Sequence, residues 1–91
     1  MNDYSKMDDR DINTLVDAVT GNRTVGNDYC NNPADAWPII VENSIVLMPS
    51  MRVEKSGLWL CFDVNNSDCD CQDENPLRAA MIVFLMMKAA E

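Results

Sequence analysis

Residues 75–88 read NPLRAAMIVFLMMK, and this stretch restricts the fold more than any other in the chain. Asn75 is a natural N-cap and Pro76 suits the first helical position, where a missing N–H costs nothing, so a helix is predicted to start here. Leu77, Met81, Phe84, Leu85 and Lys88 trace one stripe of it, yet Ile82, Val83, Met86 and Met87 occupy much of the remaining circumference. A helix apolar nearly all round must be buried or shared. Its apolar run, AAMIVFLMM, is less than half of the roughly 20 residues a membrane span needs, and Arg78 and Lys88 bound it. It is therefore expected to be a core helix and not an anchor. In a chain of 91 residues, large enough for one core and no second, a homodimer through this helix is one way to cover it.

The rest of the chain must supply the other walls of that core. In MDDRDINTLVDAVTG, Ile12, Leu15, Val16 and Val19 follow the i, i+3, i+4, i+7 spacing of one helix face, with Asp8 and Asp9 at the positive end and Gly21 as the stop. GNRTVGNDYCNN is rich in turn formers and reads as a loop, with Val25 and Tyr29 touching the core. Asp35 as N-cap predicts a short helix from about Ala36 to Asn43, docked by Trp37, Ile40 and Val41, with Pro38 tolerated in its first turn. The β-branched and aromatic residues around EKSG predict a hairpin, with strands near 44–53 and 58–64. Both faces of the second strand are largely apolar, so it is expected to be covered on both sides or to lie at an interface. Residues 1–91 thus read as a single α+β domain, three helices on a β-hairpin or small antiparallel sheet, without linker or repeat.

Chemistry is constrained mainly by what is missing. There is no His among the 91 residues, which removes the commonest general base, the Ser-His-Asp and Cys-His systems and most catalytic zinc sites. No glycine loop suited to cradling phosphate is present. The expectation is a protein that is not an enzyme and needs no cofactor. Fifteen acidic residues against seven basic ones leave a net charge of −8, which opposes direct binding to nucleic acid and suits a partner with a basic surface. MNDYSKMDDRD is acidic where an export signal would need a basic start and an apolar run, so the cytoplasm is the expected compartment.

DVNNSDCDCQDE, residues 63–74, concentrates the negative charge. Asp63, Asn65, Ser67 and Glu74 fall at positions 1, 3, 5 and 12 of a calcium-loop pattern, but position 6 is Asp68 where a sharp turn needs Gly. A solvated turn of Asn, Ser and Asp accounts for the composition more simply. Cys30, Cys61, Cys69 and Cys71 are the candidate metal ligands, although a C-x-C spacing without His is a poor zinc pattern. Exposed, weakly reactive thiols are expected instead, since acidic neighbours disfavour the thiolate. The candidate partner-binding residues are Asp63, Asp68, Asp70, Asp73 and Glu74 in this stretch and Asp8, Asp9 and Asp11 at the first helix. Two alternatives to simple protein binding are a surface that imitates DNA and a cysteine-based metal-binding regulatory domain.

NNPADAWPII (residues 31–40), NPLRAAMIVFLMM (residues 75–87) and the opening DYSKMDDRDIN (residues 3–13) resemble the NinX-like family of small proteins of lambdoid bacteriophages and prophages. The resemblance implies a phage accessory protein made in the cytoplasm of an infected bacterium. It implies no enzymatic mechanism and carries over no catalytic residue. With the acidic charge, it points to a host or phage partner of basic surface, such as a defence or nucleic-acid-processing protein.

Overall fold

A computed structural model describes residues 4–21, 27–49 and 57–89. After a 3-10 turn at Tyr4–Lys6 come α1 (Asp9–Thr20), α2 (Pro33–Glu42), β1 (Ile45–Pro49), β2 (Trp59–Asp63), β3 (Asn66–Asp73) and α3 (Pro76–Ala89). The strands form one antiparallel sheet in the order β1-β2-β3. The α+β architecture read from the sequence is the one observed.

The all-round apolar helix sits at the centre. α3 packs against all three strands and against α1 and α2, and every residue from Ala79 to Leu85 is buried. Its apolar circumference is covered within one chain, so a second copy is not needed to explain it. Burial of side chains such as Met81, Val83 and Phe84 stabilises by about 1.5–3 kcal/mol each. The Asn75 cap forms as expected, its Oδ1 accepting from the N–H groups of Leu77 at 3.0 Å and Arg78 at 3.3 Å. At the other end, the Lys88 ammonium lies 5.7 Å from the centre of the Phe84 ring.

α1 also follows its sequence signals. Asp8 caps it by accepting from Asp11 N–H at 2.9 Å, and Gly21 ends it at φ 72°, a left-handed conformation that glycine adopts without steric cost. Ile12 and Val16 are buried, Leu15 packs on the core edge, and Val19 is exposed. Tyr29 is buried as expected, while Val25 lies outside the described residues.

α2 differs from its prediction. It begins at Pro33, with Asn32 as the cap accepting from Ala34 N–H at 3.1 Å. Asp35 is already inside the first turn, where its Oδ2 accepts from Asp28 N–H at 2.9 Å. The inward face also differs from the expected one, as tertiary packing and not the start of the helix decides it. Ala36, Ile39 and Ile40 are buried, whereas Trp37 and Val41, expected to dock the helix, are exposed.

The acidic stretch is the larger correction. A turn at Val64 and Asn65 leads directly into β3, so most of the expected loop is an edge strand paired with β2, with Cys61 opposite Cys71 and Trp59 opposite Asp73. The core side of the sheet is formed by Ile45, Cys61, Asp63 and Cys69, all buried. Val46 pairs with Phe62 and Met48 with Leu60 across β1 and β2, and these four residues are half-buried. The second half of the predicted first strand, residues 50–53, lies outside the described residues.

Candidate functional site

The N-terminal end of α3 meets α1, the 27–32 segment and the end of β3 at one polar junction. Arg78 is its hub. Its guanidinium pairs with Asp9 of α1 at 2.8 Å and with Asp73 of β3 at 3.2 Å, and it also donates to the Met7 carbonyl. Burial acts to lower the Arg78 pKa, but the hydrogen bonds and charges of Asp9 and Asp73 outweigh it and hold the pKa above its ordinary value. Beside it, the Asn75 amide donates to the Cys30 carbonyl at 2.5 Å and to Asn31 Oδ1 at 3.3 Å. Asn31 in turn donates to Asp9 at 3.1 Å and to Asp28 at 3.2 Å.

The 27–32 segment is held equally firmly along α1. Asn13 donates to Asp28 at 3.0 Å and accepts from Cys30 N–H at 3.2 Å. The Tyr29 hydroxyl donates to Asp17 Oδ1 at 2.6 Å. An open cleft of about 390 Å³ runs here, with Asp9, Asp17 and Asp28 on its walls and Arg10 as its cation among the described lining residues. Asp17 and Asp28 are aligned by neutral donors, Tyr29 and the Asn13 and Asn31 amides, which fix their charge in position without neutralising it, whereas Asp9 is paired with Arg78.

The proposed partner-binding residues divide into three groups. Asp8, Asp11, Asp70 and Glu74 are exposed. Asp9 and Asp73 share Arg78, which brings the first helix and the end of the acidic stretch together at one end of the molecule. Asp63 is buried at 7% exposure and accepts from Asn65 N–H at 3.0 Å, closing the turn into β3. The Asp68 side chain lies outside the described residues. Sequence reasoning overlooked Asn13, Asp17, Asp28, Asn31 and Arg78, because a network of this kind joins residues far apart in the chain.

The cysteines are not the exposed thiols expected. Cys30, Cys61 and Cys69 are buried and Cys71 is half-buried, and none of the four is in a disulfide. Burial first, then the Asp9 charge, pushes the Cys30 thiol from 9.0 up to about 12. Burial first, then Cys71, does the same for Cys61. Acidic neighbours contribute as expected, but burial is the larger cause. Their alternation with Asp in DCDC was a readable signal, since Cys packs as a small apolar residue and a polar–apolar period of two marks a strand. Among the described residues, no three His, Cys, Asp or Glu side chains converge where a metal ion could be held. The calcium-loop pattern is likewise drawn out along a strand, which separates Asn65 from Glu74.

The stretches 3–13, 31–40 and 75–87 all contribute to the polar junction, and a comparison with protein families matches the chain almost end to end. The family model described as Bacteriophage P22, NinX covers residues 3–88. The chain belongs to the NinX family. No curated protein and no solved structure matches it significantly. In this NinX-family chain, no helix among the described residues is long and apolar enough to cross a membrane.

Proposed function

We propose that this phage protein is a non-enzymatic accessory factor that works in the cytoplasm of the infected bacterium by binding a host or phage protein with a basic surface. A defence or nucleic-acid-processing protein is the kind of target that fits. The observation that carries this reading is the row of carboxylates along α1 and the 27–35 segment: Asp17, Asp28 and Asp35 are already oriented by hydrogen bonds from uncharged donors. A surface ordered before contact loses less entropy on binding, and its field steers a basic partner into the encounter. Asp8, Asp11, Asp70 and Glu74 extend the negative surface outward. The absence of His from the sequence and the raised thiols of Cys30 and Cys61 support binding over catalysis.

The test is retention of partners from infected and uninfected cells over a salt gradient, comparing the chain with an Asp8→Asn, Asp11→Asn, Asp70→Asn, Glu74→Gln variant. These positions are exposed, so the fold is expected to survive the changes. The variant is expected to bind more weakly and with a flatter salt dependence. A partner held equally well by both proteins, with no loss of retention as the salt concentration rises, would refute charge-steered binding.

A further inference from the structure

α2 has two apolar faces, and the fold uses one. Ala36, Ile39 and Ile40 face the core, while Ala34, Trp37, Pro38 and Val41, at i, i+3, i+4 and i+7, form a stripe of exposed residues on the other side. Trp37 is 58% exposed and Val41 59%. Single exposed apolar residues are ordinary, but a helical stripe centred on a Trp is the pattern of a contact surface.

The stripe has an acidic border. PADAWPIIVE contains Asp35 and Glu42 and no Lys or Arg. Next to it, an open groove of about 390 Å³ separates Pro38, Asp35 and Glu42 from Thr20, Asn27 and Tyr29, so the apolar stripe continues into a polar, negatively charged recess. Ten residues of helix are only about 15 Å long. A standard contact covers about 800 Å² on each side, so a partner seated on Trp37 must extend over this acidic border.

We propose that the outer face of α2 is the docking surface for a protein that offers an apolar pocket, filled by Trp37 and Val41, bordered by Lys and Arg that meet Asp35 and Glu42. The inference rests on the binding role proposed above and names its surface and the partner's chemistry. Charge complementarity selects this occupant over a second copy, because joining two such faces would set Asp35 and Glu42 against like charges in a chain of net charge −8. The same border opposes an anionic lipid surface.

The test uses the full chain with Val41 replaced by the photo-cross-linking residue p-benzoylphenylalanine, irradiated in infected and uninfected bacteria. The cross-linked peptide is identified by mass spectrometry and the captured protein is purified for titration. The expected result is a partner peptide containing apolar residues and Lys or Arg. Its protein should bind the Trp37→Ser chain roughly thirty-fold more weakly, the loss typical of a central aromatic contact. Glu42→Gln should weaken binding a few-fold at low salt and leave it unchanged at high salt. Trp37→Gln serves as a second variant, and thermal unfolding confirms that each is folded. Cross-links to a second copy or to lipid would overturn the proposal. A salt-sensitive partner indifferent to both Trp37 variants would overturn the α2 surface and leave the basic-partner reading standing. A partner dependent on Trp37 but without basic residues near the cross-link, and insensitive to salt, would overturn both.

Discussion

α2 and α3 have nearly the same kind of sequence, apolar on most sides and with Pro at the first position, yet they end in opposite environments. α3 is enclosed by the sheet on one side and by α1 and α2 on the other. α2 covers α3 with Ala36, Ile39 and Ile40 and leaves Trp37 and Val41 in solvent. An apolar circumference therefore states a demand for neighbours, and among the described residues that demand is met for α3 and not for α2. The central helix uses its surface for stability, while the peripheral one leaves apolar area in solvent, which is the area proposed above for a partner.

Paired substitutions should separate these roles most sharply. Met81→Ala, at 0% exposure in α3, is expected to cost about 3 kcal/mol in urea unfolding, through lost burial and the cavity left behind. Trp37→Ala in α2 should cost under about 0.5 kcal/mol despite removing a larger side chain, because most exposed sites are nearly neutral. A cost above about 2 kcal/mol for Trp37→Ala would mean that its ring is a core element, and the contrast would fail.

The attachment of α3 to α1 and β3 can be broken electrostatically. Arg78→Met keeps an apolar stem but leaves Asp9 and Asp73 without their shared cation. The expected loss is about 2 kcal/mol, below that of a fully buried pair because Asp9 is 43% exposed. Adding Asp73→Asn to this variant should recover part of it, so the two changes should not be additive. Additive costs would show that the junction is not a single coupled unit.

Smaller effects concern the end of α2 and the thiols near α3. Ser44 turns the chain from α2 into β1 with a φ of 55°, a conformation that strains any side chain. Ser44→Gly should relieve that strain and stabilise by about 0.5 kcal/mol after the extra entropy of glycine in the unfolded chain is counted. A lower melting temperature would show that the Ser side chain makes a contact worth more than the strain. Cys30 and Cys61 should leave stability independent of pH near neutrality. Their folded pKa, about 12, lies above the ordinary 9.0, so the unfolded chain loses these protons first and stability should fall as pH rises from 9 toward 12. Cys61→Ala should flatten that fall, and an unchanged alkaline slope would show that other groups cause it.

Much of the frame was legible along the chain because its causes are local. The Asp8 cap and Gly21 stop of α1 and the Asn75-Pro76 start of α3 act within a turn of where they stand. α2 was misjudged because Asn32 and Asp35 are both good caps, and the choice depends on Asp28, whose N–H engages Asp35. β3 was misjudged because Asp, Asn and Ser suggest a turn on composition alone. The DCDC alternation matters more, since it allows Cys69 to turn inward beneath α3.

The acidic charge, the lack of histidine, the class of fold and the need of α3 for neighbours on every side followed from residue types and spacing, which no packing arrangement can alter. Which neighbours met that need followed from packing, as did which carboxylates remained available. Asp63 closes a turn and Asp9 and Asp73 hold Arg78, whereas Asp70 and Glu74 reach solvent. Charge is a property of each residue, but exposure depends on what long-range contacts place beside it, and Arg78 meets Asp9 only when residues 69 positions apart are folded together.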